Sequence, residues 1–292
     1  MDFTNWKFRA SQMGQLMAGV KPNLTEKQQE TLNDLLIKRD KGITDTQTKL
    51  LGSLLEKRDQ KPKLLATAKN LCNDIFQEQV FGRSKDIKTK YMEKGLSQEE
   101  LSISLYTKMT GELLFKNETN FKNDFFTGTP DNTQEKIRDI KTSWDYSTFP
   151  MHDKEITNKG YIYQLNTYMN LTGLEESELI YCLVDTPFNL IDDELRKLSW
   201  KSGCLSLDSM PIDLKVETVS NLIYTEKGLK EYCHQSTDIE IEWFEGIFKE
   251  IQPEHRLKIF ELIYDPGIVK QMKDHVYLGR EYLNEIAIRI SS

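Results

Sequence analysis

Hydrophobic positions along much of this chain recur every three or four residues, the spacing that places them on one face of a helix. Leucines at this spacing between residues 21 and 63, interrupted at Lys41-Gly42, predict a helical hairpin. Ser11 suits the N-cap of an earlier, short helix. The same periodicity predicts further helices over residues 64–80, 97–110 and 160–171.

Four apolar segments predict strands instead. Phe125–Thr129 and Lys136–Thr142 flank a polar turn, which predicts a β-hairpin. The continuous apolar run 179–184 is typical of a strand that is covered on both faces. Residues 257–264 are expected to form an edge strand, and a long helix over 267–289 follows it.

The order helix, hairpin, helix, buried strand indicates an α/β fold with a central mixed β-sheet flanked by helices. A chain of 292 residues with 38% hydrophobic residues is large enough to fill a substantial core. We therefore expect a single domain over 1–292, with a helical insertion at 21–63. Residues 185–292 would form a C-terminal extension that carries the edge strand and the long helix.

The net charge of −7 changes the set of partners that the chain is expected to bind. Binding to nucleic acid requires local positive potential, so a nucleic-acid enzyme of this charge needs a confined basic groove. The lysines between residues 85 and 94 and the pair Lys136 and Arg138 are candidates for it. Solvated basic residues that balance nearby acids are the alternative for each of them.

Candidate chemistry is concentrated in the predicted hairpin. Strand geometry places Asp139 and Lys141 on one face, and Asp131 lies at the end of the preceding strand. Two carboxylates and a lysine suit the hydrolysis of a phosphodiester, in which a hard divalent ion and a positioned ammonium act on water and phosphate. A structural hairpin with a surface salt bridge is the competing interpretation.

Glu99 is a third candidate carboxylate. At about 100° per residue, Glu99 falls inside the apolar arc of the helix predicted over 97–110. A carboxylate that faces a core requires a cation or hydrogen bonds. The alternative is a partly solvated glutamate at a helix start, which the helix dipole favours.

Several sequence blocks carry a resemblance to a known family, in the order "FRASQMGQLM", "KGLSQEELSISLYTKMTG", "GTPDN", "IRDIKTS" and "YIYQLNTYMNLTG". Together they resemble the PD-(D/E)-x-K nuclease superfamily, and within it the phage lambda exonuclease or YqaJ-type viral recombinase family. The resemblance implies a restriction-endonuclease-like core. It extends over residues 8–184.

The resemblance also implies roles for individual residues. Asp131, Asp139 and the backbone carbonyl of Ile140 would bind one or two Mg²⁺ or Mn²⁺ ions, with Glu99 in the metal or water shell. Lys141 would act on the attacking water. Further residues would position that water or contact phosphate and DNA, and they are Gln164, Tyr161, Ser11 and Arg9.

The function that follows is a magnesium-dependent exonuclease, expected to degrade duplex DNA from its ends, 5′→3′, in phage-type recombination with a single-strand annealing protein. A structure-specific or restriction-like endonuclease is one alternative, and an inactive DNA-end-binding or partner-binding protein is another. Because processive members of the family form rings around DNA, a homo-oligomer is also compatible with the resemblance. The apolar runs are too short to cross a membrane, so we expect a cytoplasmic protein, in the host cell if a phage encodes it.

Overall fold

The computed structural model describes residues 1–19, 23–60, 62–85 and 88–291. The helices within these ranges are α1 (Met13–Ala18), α2 (Glu26–Arg39), α3 (Asp45–Asp59), α4 (Ala66–Phe81), α5 (Lys90–Ser97), α6 (Glu99–Thr110), α7 (Lys159–Thr172), α8 (Phe188–Lys201), α9 (Ile212–Ser220), α10 (Glu226–Gln235) and α11 (Pro266–Ser291). The strands are β1 (Phe8–Arg9), β2 (Phe121–Lys122), β3 (Phe126–Gly128), β4 (Ile137–Thr142), β5 (Glu176–Cys182) and β6 (Leu257–Ile263).

The chain divides into two compact units. The first contains residues 1–84, 122–127 and 265–292, and the second contains residues 85–121 and 128–264. The prediction of one domain over 1–292 stays a prediction, as does the assignment of 21–63 as an insertion. None of the helices in the described ranges combines the length and the apolar character that crossing a bilayer demands.

In the first unit, α1, α4 and α11 pack together beside strand β1, which pairs in parallel with β3. Gly279 allows α11 to approach this strand closely, because a Cβ at this position would lie 2.6 Å from Cζ of Phe8. The described part of residues 21–63 forms α2 and α3, which begin with capping boxes at Thr25 and Thr44. Leucines at the predicted helical spacing form the core of this helical pair: Leu24, Leu32, Leu35, Leu51 and Leu54.

In the second unit, β5 is the central strand of the sheet β4-β5-β6. It runs parallel to β4 and antiparallel to β6, and the register places Asp139 opposite Leu179 and Lys141 opposite Tyr181. Helix α6 covers one face of β4, where Ile140 packs against Leu105 and Tyr106. Helix α7 lies against the opposite face. The two faces of β4 are therefore lined by different helices.

The mixed α/β class is confirmed, and the strands in the described residues form two sheets of three strands each, of which β4-β5-β6 is mixed and is flanked by α6 and α7. The predicted hairpin is wrong in its pairing. Strand β3 joins the first sheet, where Phe126 is fully buried opposite Phe8, and in the described part of the chain the β-type pairing of the turn with β4 is limited to an isolated antiparallel bridge between Asn132 and Arg138. Apolar partners distant in sequence outcompeted the local pairing, since β3 is short and β5 offers β4 a longer apolar surface.

Candidate active site

Asp131 occupies a turn that folds over the start of β4. Its Oδ2 accepts a hydrogen bond of 2.8 Å from the backbone N–H of Ile140. Asn132, next to it, exchanges two backbone hydrogen bonds with Arg138, of 3.1 and 3.2 Å. Burial, reinforced by the nearby charge of Asp139, raises the pKa of Asp131 to about 6. The carboxyl group is therefore fixed in place, and its negative charge is poorly compensated.

Asp139 and Lys141 are neighbours on the same face of β4, as the two-residue period predicts. Lys141 Nζ lies 2.6 Å from Asp139 Oδ2, and Asp139 is 1% exposed. Burial opposes the charge of Lys141, but the carboxylates of Asp139 and Asp131 outweigh it and raise the lysine pKa. Lys141 is therefore held as a cation between two acidic side chains.

Helix α7 contributes the two residues that the sequence assigned to it. Gln164 Nε2 donates to Asp139 Oδ1 at 3.3 Å and to the hydroxyl of Tyr168 at 3.0 Å. The ring centroid of Tyr161 lies 5.1 Å from Lys141 Nζ, a cation–π contact. Residues from a turn, a strand and a helix thus converge around one lysine.

Glu99 is the first residue of α6, so the helix-start interpretation describes its position correctly. Its side chain is 23% exposed, and Oε2 lies 2.6 Å from Nζ of Lys116. Glu99 nevertheless lines the same cleft as Asp131. The structure therefore brings Glu99 to the site, with its charge paired to a lysine.

The cleft above these residues has a volume of about 580 Å³. Asp139 and Gln164 are buried behind it, while Lys141 and Tyr161 face into it. The lining residues come from α5, α6, the Asp131 turn, β4 with the chain that follows it, α7 and β5: Tyr91, Met92, Gly95, Leu96, Glu99, Asp131, Ile140, Lys141, Thr142, Ser143, Trp144, Thr148, Tyr161 and Tyr181. Polar groups therefore occupy the floor of a cleft whose α5 wall is mainly apolar.

The cleft and the space behind it contain carboxylates of the chemical class that a hard divalent cation binds. Asp139 Oδ2 is buried and has no hydrogen-bond partner in the described part of the chain, so its ion pair with Lys141 is its main compensation. Burial and the nearby charge of Asp139 disfavour the ionised form of Asp131 and raise its pKa. Carboxylate oxygens are preferred ligands of Mg²⁺ and Mn²⁺. Within the described ranges, however, no three His, Cys, Asp or Glu side chains are grouped closely enough to hold a metal.

Ser11 and Arg9 belong to the first unit, and their proposed contact with phosphate stays a prediction. Ser11 is exposed within a 3-10 turn, Ala10–Gln12, and the N-cap of α1 is Gln12, so the predicted N-cap role of Ser11 is wrong. Arg9 is an exposed residue whose guanidinium lies 3.4 Å from Glu78. Its backbone N–H donates to Gln12.

The basic residues proposed for a groove have other partners. Lys136 and Arg138 bind Glu178 on the face of β4 that α6 covers. Lys94 is fully buried and donates to the carbonyl of Trp144 at 2.8 Å. Instead, sequence reasoning missed Lys116, which lies in an irregular segment after α6 where no periodic pattern distinguishes it.

Solved structures share this fold. A phage related exonuclease from Haemophilus somnus 129PT matches with a TM-score of 0.62 and 20% identity, over 98% of this chain and 97% of that one. An alkaline exonuclease from Laribacter hongkongensis, LHK-Exo, matches with a TM-score of 0.50 and 12% identity, over 98% and 96%. The same enzyme in complex with dAMP also matches with a TM-score of 0.50 and 12% identity, over 97% and 94%. No protein-family model and no curated protein matches the sequence. The resemblance to phage exonucleases is thus confirmed at the level of the fold.

Proposed function

We propose that this protein is a metal-dependent DNA exonuclease whose active site is the cleft over β4. The observation that carries the proposal is the convergence of Asp131, Asp139, Lys141 and Gln164 from three separate elements on one site. The fold shared with two exonucleases supports the same activity. In this proposal, the sheet β4-β5-β6 with α6 and α7 is a restriction-endonuclease-like core.

Asp131, Asp139 and the backbone carbonyl of Ile140 would hold one or two Mg²⁺ or Mn²⁺ ions, with Glu99 in the metal or water shell. When bound, the metal supplies positive charge that lowers the pKa of a water and neutralises the scissile phosphate. The raised pKa of Lys141 favours its charged form, which suits it to orient that water and to stabilise charge that develops on the phosphate.

The α7 residues would complete the site. Gln164 already donates to Asp139, so it fixes the carboxylate that faces Lys141 and leaves its own carbonyl oxygen for a water. Tyr161 holds the lysine through its ring. Both residues are therefore proposed to position the lysine, the water or the phosphate.

The expected substrate is linear duplex DNA degraded from its ends, 5′→3′, in phage-type recombination in the host cytoplasm. A neighbour in fold was crystallised with dAMP, a nucleotide of the kind that an exonuclease releases from DNA. A single-strand annealing protein is the proposed partner for the strand that remains. Assembly into a homo-oligomer is also proposed.

The test is digestion of end-labelled linear DNA and of circular DNA with Mg²⁺, comparing the wild type with Lys141→Ala. We expect linear DNA to shorten progressively from its 5′ ends with the wild type and to stay intact with the variant. Cleavage of circles would instead indicate an endonuclease. If neither protein degrades DNA, with or without Mg²⁺, the result would indicate a protein that only binds DNA.

A further inference from the structure

Residues Phe115–Asn117 are attached to the turn that carries Asp131. The backbone N–H of Asn117 donates to the carbonyl of Asp131 at 2.8 Å. Asn132 Nδ2 donates to the carbonyl of Phe115 at 2.9 Å. These hydrogen bonds fix the backbone on both sides of residue 116, so its side chain starts from a defined point beside the site.

Lys116 is a second lysine at the candidate site. Its Nζ lies 2.6 Å from Oε2 of Glu99, and 51% of its side chain is exposed, against 25% for Lys141. Lys116 is therefore a solvent-exposed cation held next to Glu99, a residue that lines the cleft.

A contribution to the stability of the fold does not account for the presence of Lys116 at this position. A half-exposed ion pair contributes little to the stability of a fold, and the hydrogen bonds around residue 116 already hold the segment. The cleft also presents the acidic groups Glu99 and Asp131 to an approaching polyanion, with Asp139 buried behind them. A phosphate that enters it needs an accessible cation, and Lys141 is largely committed to Asp139.

We propose that Lys116 is a phosphate-binding residue of the cleft, held by Glu99 in the free protein and transferred to a DNA backbone phosphate when a strand enters. The inference rests on the proposed function, because it assigns Lys116 to the same substrate. In this proposal Lys116 contacts the DNA backbone and not the reacting atoms, so it stabilises the bound DNA equally in the ground state and in the transition state. Its loss should raise KM and leave kcat nearly unchanged.

The experiment measures the affinity of a short duplex in EDTA over a range of salt concentrations, for the wild type, Lys116→Met and Lys116→Arg. One lost phosphate contact lowers the slope of log affinity against log salt by about 0.9. We expect this decrease for Lys116→Met, with affinity at fixed salt reduced roughly 3- to 10-fold. Lys116→Arg keeps the charge and should keep the slope.

Lys197→Met is the matched control. Lys197 is also a half-exposed lysine, 57% exposed, that pairs with a glutamate, Glu194, at 3.0 Å, but it lies on α8, and Glu194, unlike Glu99, does not line the cleft. Its removal should leave the slope and KM unchanged. Thermal unfolding of each variant verifies that the fold is intact.

The inference is overturned if Lys116→Met and Lys197→Met have the same salt slope and the same KM as the wild type. That failure differs from failure of the proposed function. If the proposed function fails, the wild type itself does not degrade linear duplex DNA from its ends with Mg²⁺. If only the inference fails, the wild type degrades DNA and Lys116→Met does so with unchanged KM.

Discussion

The two faces of β4 both carry buried charged side chains, but the two faces differ in how completely these charges are paired. On the face covered by α6, Arg138 lies 3.1 Å from Glu178 and 3.1 Å from the hydroxyl of Tyr106, and it also binds Glu112. Lys136 completes this set with a second contact of 2.5 Å to Glu178. Each charge on this face has a partner of opposite sign and hydrogen bonds.

The face covered by α7 is incompletely compensated. Among the described residues, Asp139 Oδ2 has only the ammonium of Lys141 as a partner, and the pKa of Asp131 is raised to about 6 by burial and by Asp139. Buried polar networks that are fully satisfied rigidify a fold, whereas shifted pKa values and unsatisfied groups concentrate at functional sites. One strand therefore combines a face whose charges are paired, here called the structural face, with an incompletely compensated face that belongs to the proposed active site, here called the reactive face.

The largest effect is expected from Asp139→Asn, which changes charge on the reactive face at constant volume. A neutral amide cannot compensate a metal or Lys141 in the same way, so DNA degradation should fall by about 1,000-fold, or roughly 4 kcal/mol. Initial rates on end-labelled duplex give this value. The free energy of unfolding should change by no more than about 1 kcal/mol, and equal losses of activity and stability would contradict the assignment of this face.

The next prediction concerns Arg138→Met, which removes the guanidinium that pairs with Glu112 and Glu178 on the structural face. Removal of the guanidinium takes one of its two cationic partners from the buried Glu178, so we expect a loss of about 3 kcal/mol in the free energy of unfolding. Urea denaturation measures it. The folded variant should keep its rate on DNA within a few-fold of the wild type. If Arg138→Met instead has wild-type stability but does not degrade DNA, the assignment of the two faces is reversed.

Period-two alternation was sufficient to predict from the sequence that Asp139 and Lys141 are neighbours, because a strand can place them in no other way. Helical periodicity likewise predicted α7 and the positions of Tyr161 and Gln164. These features depend on local geometry, which the order of apolar and polar residues determines.

Contacts between distant segments could not be predicted in this way. The pairing of β3 with β1 depends on Phe8 and Phe126 meeting in a core, and no local pattern encodes that choice. Lys116 acquires its place from hydrogen bonds between an irregular segment and the Asp131 turn. The strand pairing of the predicted metal-binding hairpin was therefore wrong, and the role of its residues as metal ligands stays a prediction.

Lys94, on α5, is another buried charged residue and lies next to Trp144, which follows β4 in the chain. It donates to the carbonyl of Trp144, and burial lowers its pKa to about 7 despite the attraction of Asp185 and Asp145. The unfolded chain therefore binds more protons than the folded one between about pH 7 and pH 10, so stability should rise with pH across this window.

Lys94→Met removes that dependence. Between about pH 7 and pH 9.5, the free energy of unfolding of the wild type should increase by about 2 kcal/mol relative to the variant. Urea denaturation at both pH values measures the difference. A difference that stays constant with pH would show that Lys94 does not titrate in this window.

The smallest effect is expected from the metal itself, measured without DNA. A ligand that binds only the folded protein, at about ten times its dissociation constant, stabilises it by about 1.4 kcal/mol. Replacing EDTA with Mg²⁺ should therefore raise the wild-type Tm by roughly 2–4 °C. Asp131→Asn should lose this shift, because it removes a proposed ligand on the reactive face. Glu178→Gln lowers the basal Tm on the structural face but should retain the shift, and loss of the shift in both variants would mean that Mg²⁺ does not distinguish the two faces.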